Sequence, residues 1–158
     1  MSRRRVVTEK GVNSYFGAGK RKYINSLGRK GLSNIQLETT CRDLFGSKFK
    51  GVYMQDDLLP HMMKPGYYII NTDVNDGGGI HWIALVLTPK TAYVFDSFGR
   101  PTKSVLPILY KNLIKTHKVV DADYDQNQKG DSQVCGQLCI AFLICCKKFG
   151  VITAAKYI

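Results

Sequence analysis

The sequence predicts an α+β domain in which a small mixed or antiparallel central sheet packs against a buried helix with a cysteine at its N-terminus. Three observations predict it. Short β-branched and aromatic runs fill the middle of the chain, bounded by Gly, Pro, Asn and Asp. A nearly continuous apolar segment from Cys135 to Cys146 follows, long enough for a helix buried on most sides. The 158 residues, 44% of them apolar, suffice for one core without metal or disulfide staples.

The elements follow in chain order. Residues 1–30 carry nine cations, Arg3, Arg4, Arg5, Lys10, Lys20, Arg21, Lys22, Arg29 and Lys30, against Glu9, a net +8 of the chain's +11. With Gly11, Gly17, Gly19 and Gly28 among few apolar side chains, the segment reads as a basic flexible arm, pinned only by contacts with the body or a polyanion. Residues 31–158 then form the globular domain. Ser33 with Gln36 makes a capping box, and Leu37, Cys41, Leu44 and Phe45 share one helical face, so the first helix runs from there to Gly46.

Tyr67 to Ile70 reads as a strand, Ile80 to Leu87 as a second and Ala92 to Phe95 as a third, with Thr88-Pro89-Lys90-Thr91 turning between the last two. These runs are too apolar for exposed edges. Leu106, Leu109, Leu113 and Ile114 trace a helical face over 103–116, in which Pro107 fits only the first turn. Val119-Val120 starts a short strand, and a polar loop covers 121–133. The last helix, from about Cys135, closes on Lys147, Lys148 and Gly150, cations and a glycine where a helix C-terminus favours them.

Five cysteines, Cys41, Cys135, Cys139, Cys145 and Cys146, make an odd count, and no charged-then-apolar leader precedes them. A reducing compartment is the expectation, not secretion. The longest apolar run, Leu138 to Cys146, is about half of what a helix needs to cross a bilayer, so no membrane association is expected. His61, His81, His117 and the cysteines show no zinc-type spacing, and no metal is expected.

A nucleophilic cysteine needs a lowered pKa, a base, an orienting partner for that base and donors for an oxyanion. Cys135 begins the buried helix, where unpaired N–H groups and the positive dipole end favour a negative sulfur. Gly136 after it allows close approach of chain or substrate. Cys139, Cys145 and Cys146 lie deeper, where a neutral thiol is the default. A tight hairpin pairing Val86 with Thr91 places His81 directly opposite Asp96; a slip of two leaves them diagonal on one face, and a slip of one separates them. Such a pair is either a polar rim contact or an imidazole oriented by a carboxylate. Gln128, seven residues before Cys135, has the amide an oxyanion hole would use, although Gln126, Gln133 and Gln137 lie nearby.

Taken in order, Gly78-Gly79-Ile80-His81-Trp82, then Val94-Phe95-Asp96-Ser97-Phe98-Gly99, then Gln128, then Cys135-Gly136 with Cys139, resemble the adenovirus protease (adenain) family. The resemblance covers about residues 31–148 and extends to the wider clan of SUMO and other ubiquitin-like-protein proteases. It implies a cysteine endopeptidase: Cys135 nucleophile, His81 base and later acid, Asp96 orienter, Gln128 oxyanion donor, with substrate contacts at Gly79, Trp82 and Gly136. Trp82 reads equally as core. The family implies cleavage next to glycine in viral capsid or core precursors, action in the virion and the host nucleus or cytoplasm, no cofactor for the chemistry, and activation by DNA or a viral peptide. DNA would be held by the cations of residues 1–30.

Three departures stand out. Asp96 occupies a position that is typically Glu in adenovirus enzymes. The family's longer C-terminal helical portion is absent from these 158 residues. No cysteine lies between Cys41 and Cys135, so a peptide activator would bind without the family's disulfide. A ubiquitin-like-protein protease or a clan acetyltransferase would use the same residues on another acyl group. A nucleic-acid-binding module without catalysis would explain the basic segment but not the ordered constellation.

Overall fold

In a computed structural model, which describes residues 6–73, 81–122 and 133–158, a five-stranded mixed sheet is covered by helices on both faces. The elements are α1 (Glu9–Leu27), α2 (Asn34–Phe45), β1 (Phe49–Met54), β2 (Gly66–Asn71), β3 (Trp82–Leu87), β4 (Thr91–Phe95), α3 (Thr102–Val105), α4 (Pro107–Leu113), β5 (Lys118–Asp121), α5 (Cys135–Phe149) and α6 (Val151–Tyr157). Strand order is β1-β2-β3-β4-β5; the outer pairs are parallel and the two inner pairs antiparallel. The α+β expectation is met, with the cysteine helix against the sheet.

Alternation along the strands builds two cores. Tyr67, Ile69, Ala84, Val86 and Phe95 face α1, α2, α5 and α6, with Leu138, Cys139 and Phe142 of α5 at the centre. Tyr68, Ile70, Ile83, Leu85 and Val94 face Leu106, Leu109 and Leu113 around α4. Every residue of β2 and β3 is buried, which explains their unbroken apolar run.

The flexible arm is corrected for residues Glu9–Leu27, which form a helix capped by the Thr8 side chain on the Gly11 N–H. Glycine alone cannot decide against a helix when tertiary burial supports one. Val12, Phe16, Tyr23 and Ile24 are buried, Phe16 packs edge-on to Phe95, and Phe95 stacks on Phe142 at 4.6 Å. Gly19 lies against α5, where an added Cβ would be at van der Waals contact, 3.4 Å, with the Ala141 Cβ.

The capping box of α2 forms as expected, Ser33 and Gln36 exchanging hydrogen bonds. The helix predicted over 103–116 is two: Leu106 leaves the helical region and Pro107 begins α4. A proline disfavours helical backbone in the residue before it. β1 and α6 are elements for which the sequence carried no distinct signal. β1 pairs in parallel with β2, the next strand along the chain, and α6 follows the Gly150 cap of α5 at once.

Candidate active site

The β3–β4 hairpin pairs Leu87 with Ala92 and Ala84 with Phe95, a register two residues from the expected one. Thr88 and Thr91 close the turn by a backbone hydrogen bond of 2.9 Å around Pro89-Lys90, a proline suited to the first central turn position. His81 and Asp96 therefore lie diagonally, just beyond the ends of β3 and β4. Their side chains still meet, His81 Nε2 lying 2.7 Å from Asp96 Oδ1.

Asp96 is saturated with donors. Oδ1 also accepts the Phe98 N–H at 3.1 Å; Oδ2 accepts the Arg100 N–H at 3.2 Å and its guanidinium Nε–H at 2.8 Å. Burial would raise this carboxyl, but the His81 and Arg100 bonds outweigh it and hold it down at about 2. Asp96 is therefore an anion that keeps the Nε2 proton of His81, leaving Nδ1 as the second functional nitrogen.

Cys135 is the first residue of α5, and its cap residue Val134 has no side-chain oxygen to occupy the first-turn N–H groups. Burial pushes the thiol up, yet hydrogen bonding to the His81 imidazole and to the backbone N–H groups of Trp82 and Gly136 brings it below its ordinary value. His81 moves reciprocally: burial lowers it, Asp96 and Cys135 raise it, and the net shift is upward. Both shifts favour a thiolate–imidazolium pair. The other four cysteines are raised, first by burial; Cys139 donates its S–H to the Trp82 carbonyl at 3.4 Å. Among the described residues no group of His, Cys, Asp and Glu could hold a metal ion.

Other expected site residues fall elsewhere. Trp82 is buried in the α5-side core and its indole N–H donates to the Leu32 carbonyl at 2.9 Å, so the core reading prevails over a substrate wall. Gly136 has a packing reason for its missing side chain. A Cβ there would meet Leu32 Cδ1 at 3.2 Å and Leu37 Cδ2 at 3.3 Å, so glycine admits α2 and its lead-in. Lys10, Arg21, Lys22, Arg29 and Lys30 are exposed and Lys20 is half-buried. Gly79, Gln128, Arg3, Arg4 and Arg5 lie outside the described residues.

Two residues beside the site were not singled out. Arg100 is one; its only sequence signal is an acid followed four residues later by a cation in a glycine turn. Gln137 is the other, noticed only as a neighbour of Gln128. Its buried amide donates to the Gly28 carbonyl at 2.8 Å and the Lys30 carbonyl at 3.1 Å, tying the α1–α2 connection to the helix that carries Cys135.

A family model described as adenovirus endoprotease matches residues 49–155, from the start of β1 into α6. The chain is 31% identical over 130 residues to a protease of human adenovirus B serotype 3, covering 72% of this chain and 61% of that one. It is 30% identical over 131 residues to a protease of human adenovirus D serotype 9, covering 72% and 62%. A protease of bovine adenovirus 7 is 34% identical over 94 residues, covering 51% and 46%. The chain thus spans about half to three fifths of the length of these curated relatives.

Proposed function

The chain belongs to the adenovirus endoprotease family, and from that premise we propose that it is a cysteine endopeptidase with Cys135 as nucleophile. The observation that carries the reading is the hydrogen-bonded series Asp96, His81, Cys135 at the N-terminus of a buried helix. The Cys135 thiolate attacks the scissile carbonyl carbon, and the C–O π pair moves onto oxygen. N–H groups at the start of α5, with the Gln128 amide, stabilise that oxyanion. As the tetrahedral species collapses, the C–N bond breaks and His81 gives its proton to the leaving amine. Water, deprotonated by His81, then attacks the thioester and releases the acid and the thiol. Asp96 keeps the imidazole in one tautomer and steadies its charged form.

The substrates we propose are viral capsid and core precursors cut next to glycine, in the virion and the host nucleus or cytoplasm. The family supports this, as does the 6% exposure of Cys135, which favours residues without a Cβ beside the attacked carbonyl. No helix among the described residues is long and apolar enough to cross a membrane. A peptide activator, if used, would bind without a disulfide; the burial of all five thiols favours that. DNA is the second proposed partner, favoured by the exposed cations of α1.

The deciding experiment is active-site titration with an electrophilic peptide ending in glycine, on the chain and on Cys135→Ala. Stoichiometric labelling of Cys135 and cleavage of a Gly-Gly peptide lost in the variant are expected. Cleavage surviving in Cys135→Ala would defeat the assignment. Preference for a ubiquitin-like protein over short peptides, or acetyl transfer without hydrolysis, would move the chain to the other activities of the clan.

A further inference from the structure

We propose that Arg100 is a positioning residue for the Asp96–His81 pair, gripping one carboxylate oxygen so that the other is held on the imidazole. The proposal rests on the peptidase reading and adds a residue to that centre. A carboxylate joined only to an imidazole can rotate about its last torsion and exchange its oxygens. Here both oxygens are assigned: Oδ1 to His81 Nε2 and the Phe98 N–H, Oδ2 to the backbone and guanidinium of Arg100. The turn brings Arg100 back at Gly99, whose φ of +73° suits glycine.

A second chain of contacts runs from Arg100 to His81. The guanidinium carbon lies 5.1 Å from the Phe98 ring centre, and that ring lies 5.0 Å from the imidazole. Arg100, Asp96, His81 and Phe98 therefore close a ring, the carboxylate on one side and the aromatic on the other. The Arg100 side chain is 45% exposed, so screening weakens its charge, but the carboxylate it grips is 1% exposed.

The charge has a direction as well as a size. Asp96 faces His81 beside β3, Arg100 in the turn after β4, and Cys139 of α5; Asp121 of β5 borders the same cavity of about 200 Å³ as Asp96 and Arg100. His81 faces Asp96 and Cys135. Arg100 is a cation on the far oxygen of Asp96, and its charge weakens the negative potential that the carboxylate places on the imidazole. Without it the imidazolium would hold its proton more tightly and become a poorer acid toward the leaving amine.

The test uses the full chain, Arg100→Gln and Arg100→Lys. The His81 imidazole is titrated by NMR on histidine-labelled protein with His61 and His117 as internal references, and kcat and KM are measured against pH on a Gly-Gly peptide. Arg100→Gln should raise the His81 midpoint by about half to one pH unit. It should also lower kcat about ten-fold with KM within about two-fold. Arg100→Lys should lie between the two on both readouts. An unmoved His81 midpoint would overturn the proposal even if activity falls, because a merely structural role predicts that. A raised KM with kcat retained would overturn it in favour of substrate contact. Failure of the unsubstituted chain to hydrolyse peptide would defeat the peptidase reading instead, and the His81 titration would still decide the positioning.

Discussion

At the scale of single residues, the site separates thiols that share one composition but not one environment. Burial is the largest influence on every thiol, but at Cys135 the imidazole and two backbone donors at the helix start together outweigh it, whereas at Cys41, Cys139, Cys145 and Cys146 burial prevails and the thiol is raised. Brief iodoacetamide treatment at mildly acidic pH should alkylate Cys135 first, and His81→Gln should abolish that selectivity. Mass spectrometry finding Cys41 or Cys139 labelled ahead of Cys135 would reject this ranking. Asp96 has a stability consequence of definite sign. Its folded value of about 2 lies below the ordinary 3.8, so its contribution is present above the ordinary value and lost as pH falls through about 2. Asp96→Asn should therefore cost about 2 kcal/mol at pH 7 and little near pH 2, read from urea unfolding at both. His81 runs the other way: its value is raised, so its contribution is full below its ordinary range and lost as pH rises through the folded value. A deficit in Asp96→Asn that is independent of pH would contradict the ion-pair account.

At the scale of elements, α5 is positioned by its neighbours more than by its own cap. Val134 offers no side-chain cap, and the α1–α2 connection closes over the helix start instead, through the Gln137 amide on the Gly28 and Lys30 carbonyls and the Trp82 indole on Leu32. Gln137→Leu keeps the volume and removes both donors, so it should cost about 1–2 kcal/mol and reduce kcat by moving the start of α5. Wild-type unfolding midpoint and rate in that variant would show the tie to be idle. Gly136→Ala sets two effects against each other. Alanine favours the helix by under about 1 kcal/mol, but its methyl meets Leu32 and Leu37 closer than van der Waals contact, and overpacking costs about 1–3 kcal/mol. The net expectation is a loss of about 1 kcal/mol in urea unfolding.

For the whole molecule, the basic segment is part of the core and a surface at once. α1 buries Val12, Phe16, Tyr23 and Ile24 and turns Lys10, Arg21 and Lys22 outward. A chain starting at Gly31 should accordingly be less stable, because a well-buried large apolar side chain contributes about 1.5–3 kcal/mol. Its loss of DNA binding would prove nothing by itself. The sound comparison is Lys10, Arg21 and Lys22 all changed to Gln in the intact chain, titrated against fluorescent DNA at several salt concentrations. The unsubstituted chain should lose affinity on a log–log slope of about −0.9 per phosphate neutralised, and the triple variant should bind more weakly with a shallower slope. Equal slopes would remove α1 from the DNA-binding surface.

What the sequence by itself determined is whatever depends on local pattern and order. The capping box of α2, the apolar strands, the helix that starts at Cys135 and the order His81, Asp96, Cys135 could all be read because each is carried by spacing along one stretch or by succession along the chain. Tertiary structure decided the rest. α1 became a helix because α5 and Phe95 offer its apolar residues a surface, which its glycines and cations conceal in sequence. The two-residue change in hairpin register came from the turn around Pro89, and it still left His81 and Asp96 on one face because side chains alternate with period two. Gly136 acquired its meaning from Leu32 and Leu37, about a hundred residues away, and Arg100 acquired its own only when the turn at Gly99 carried its guanidinium back onto Asp96.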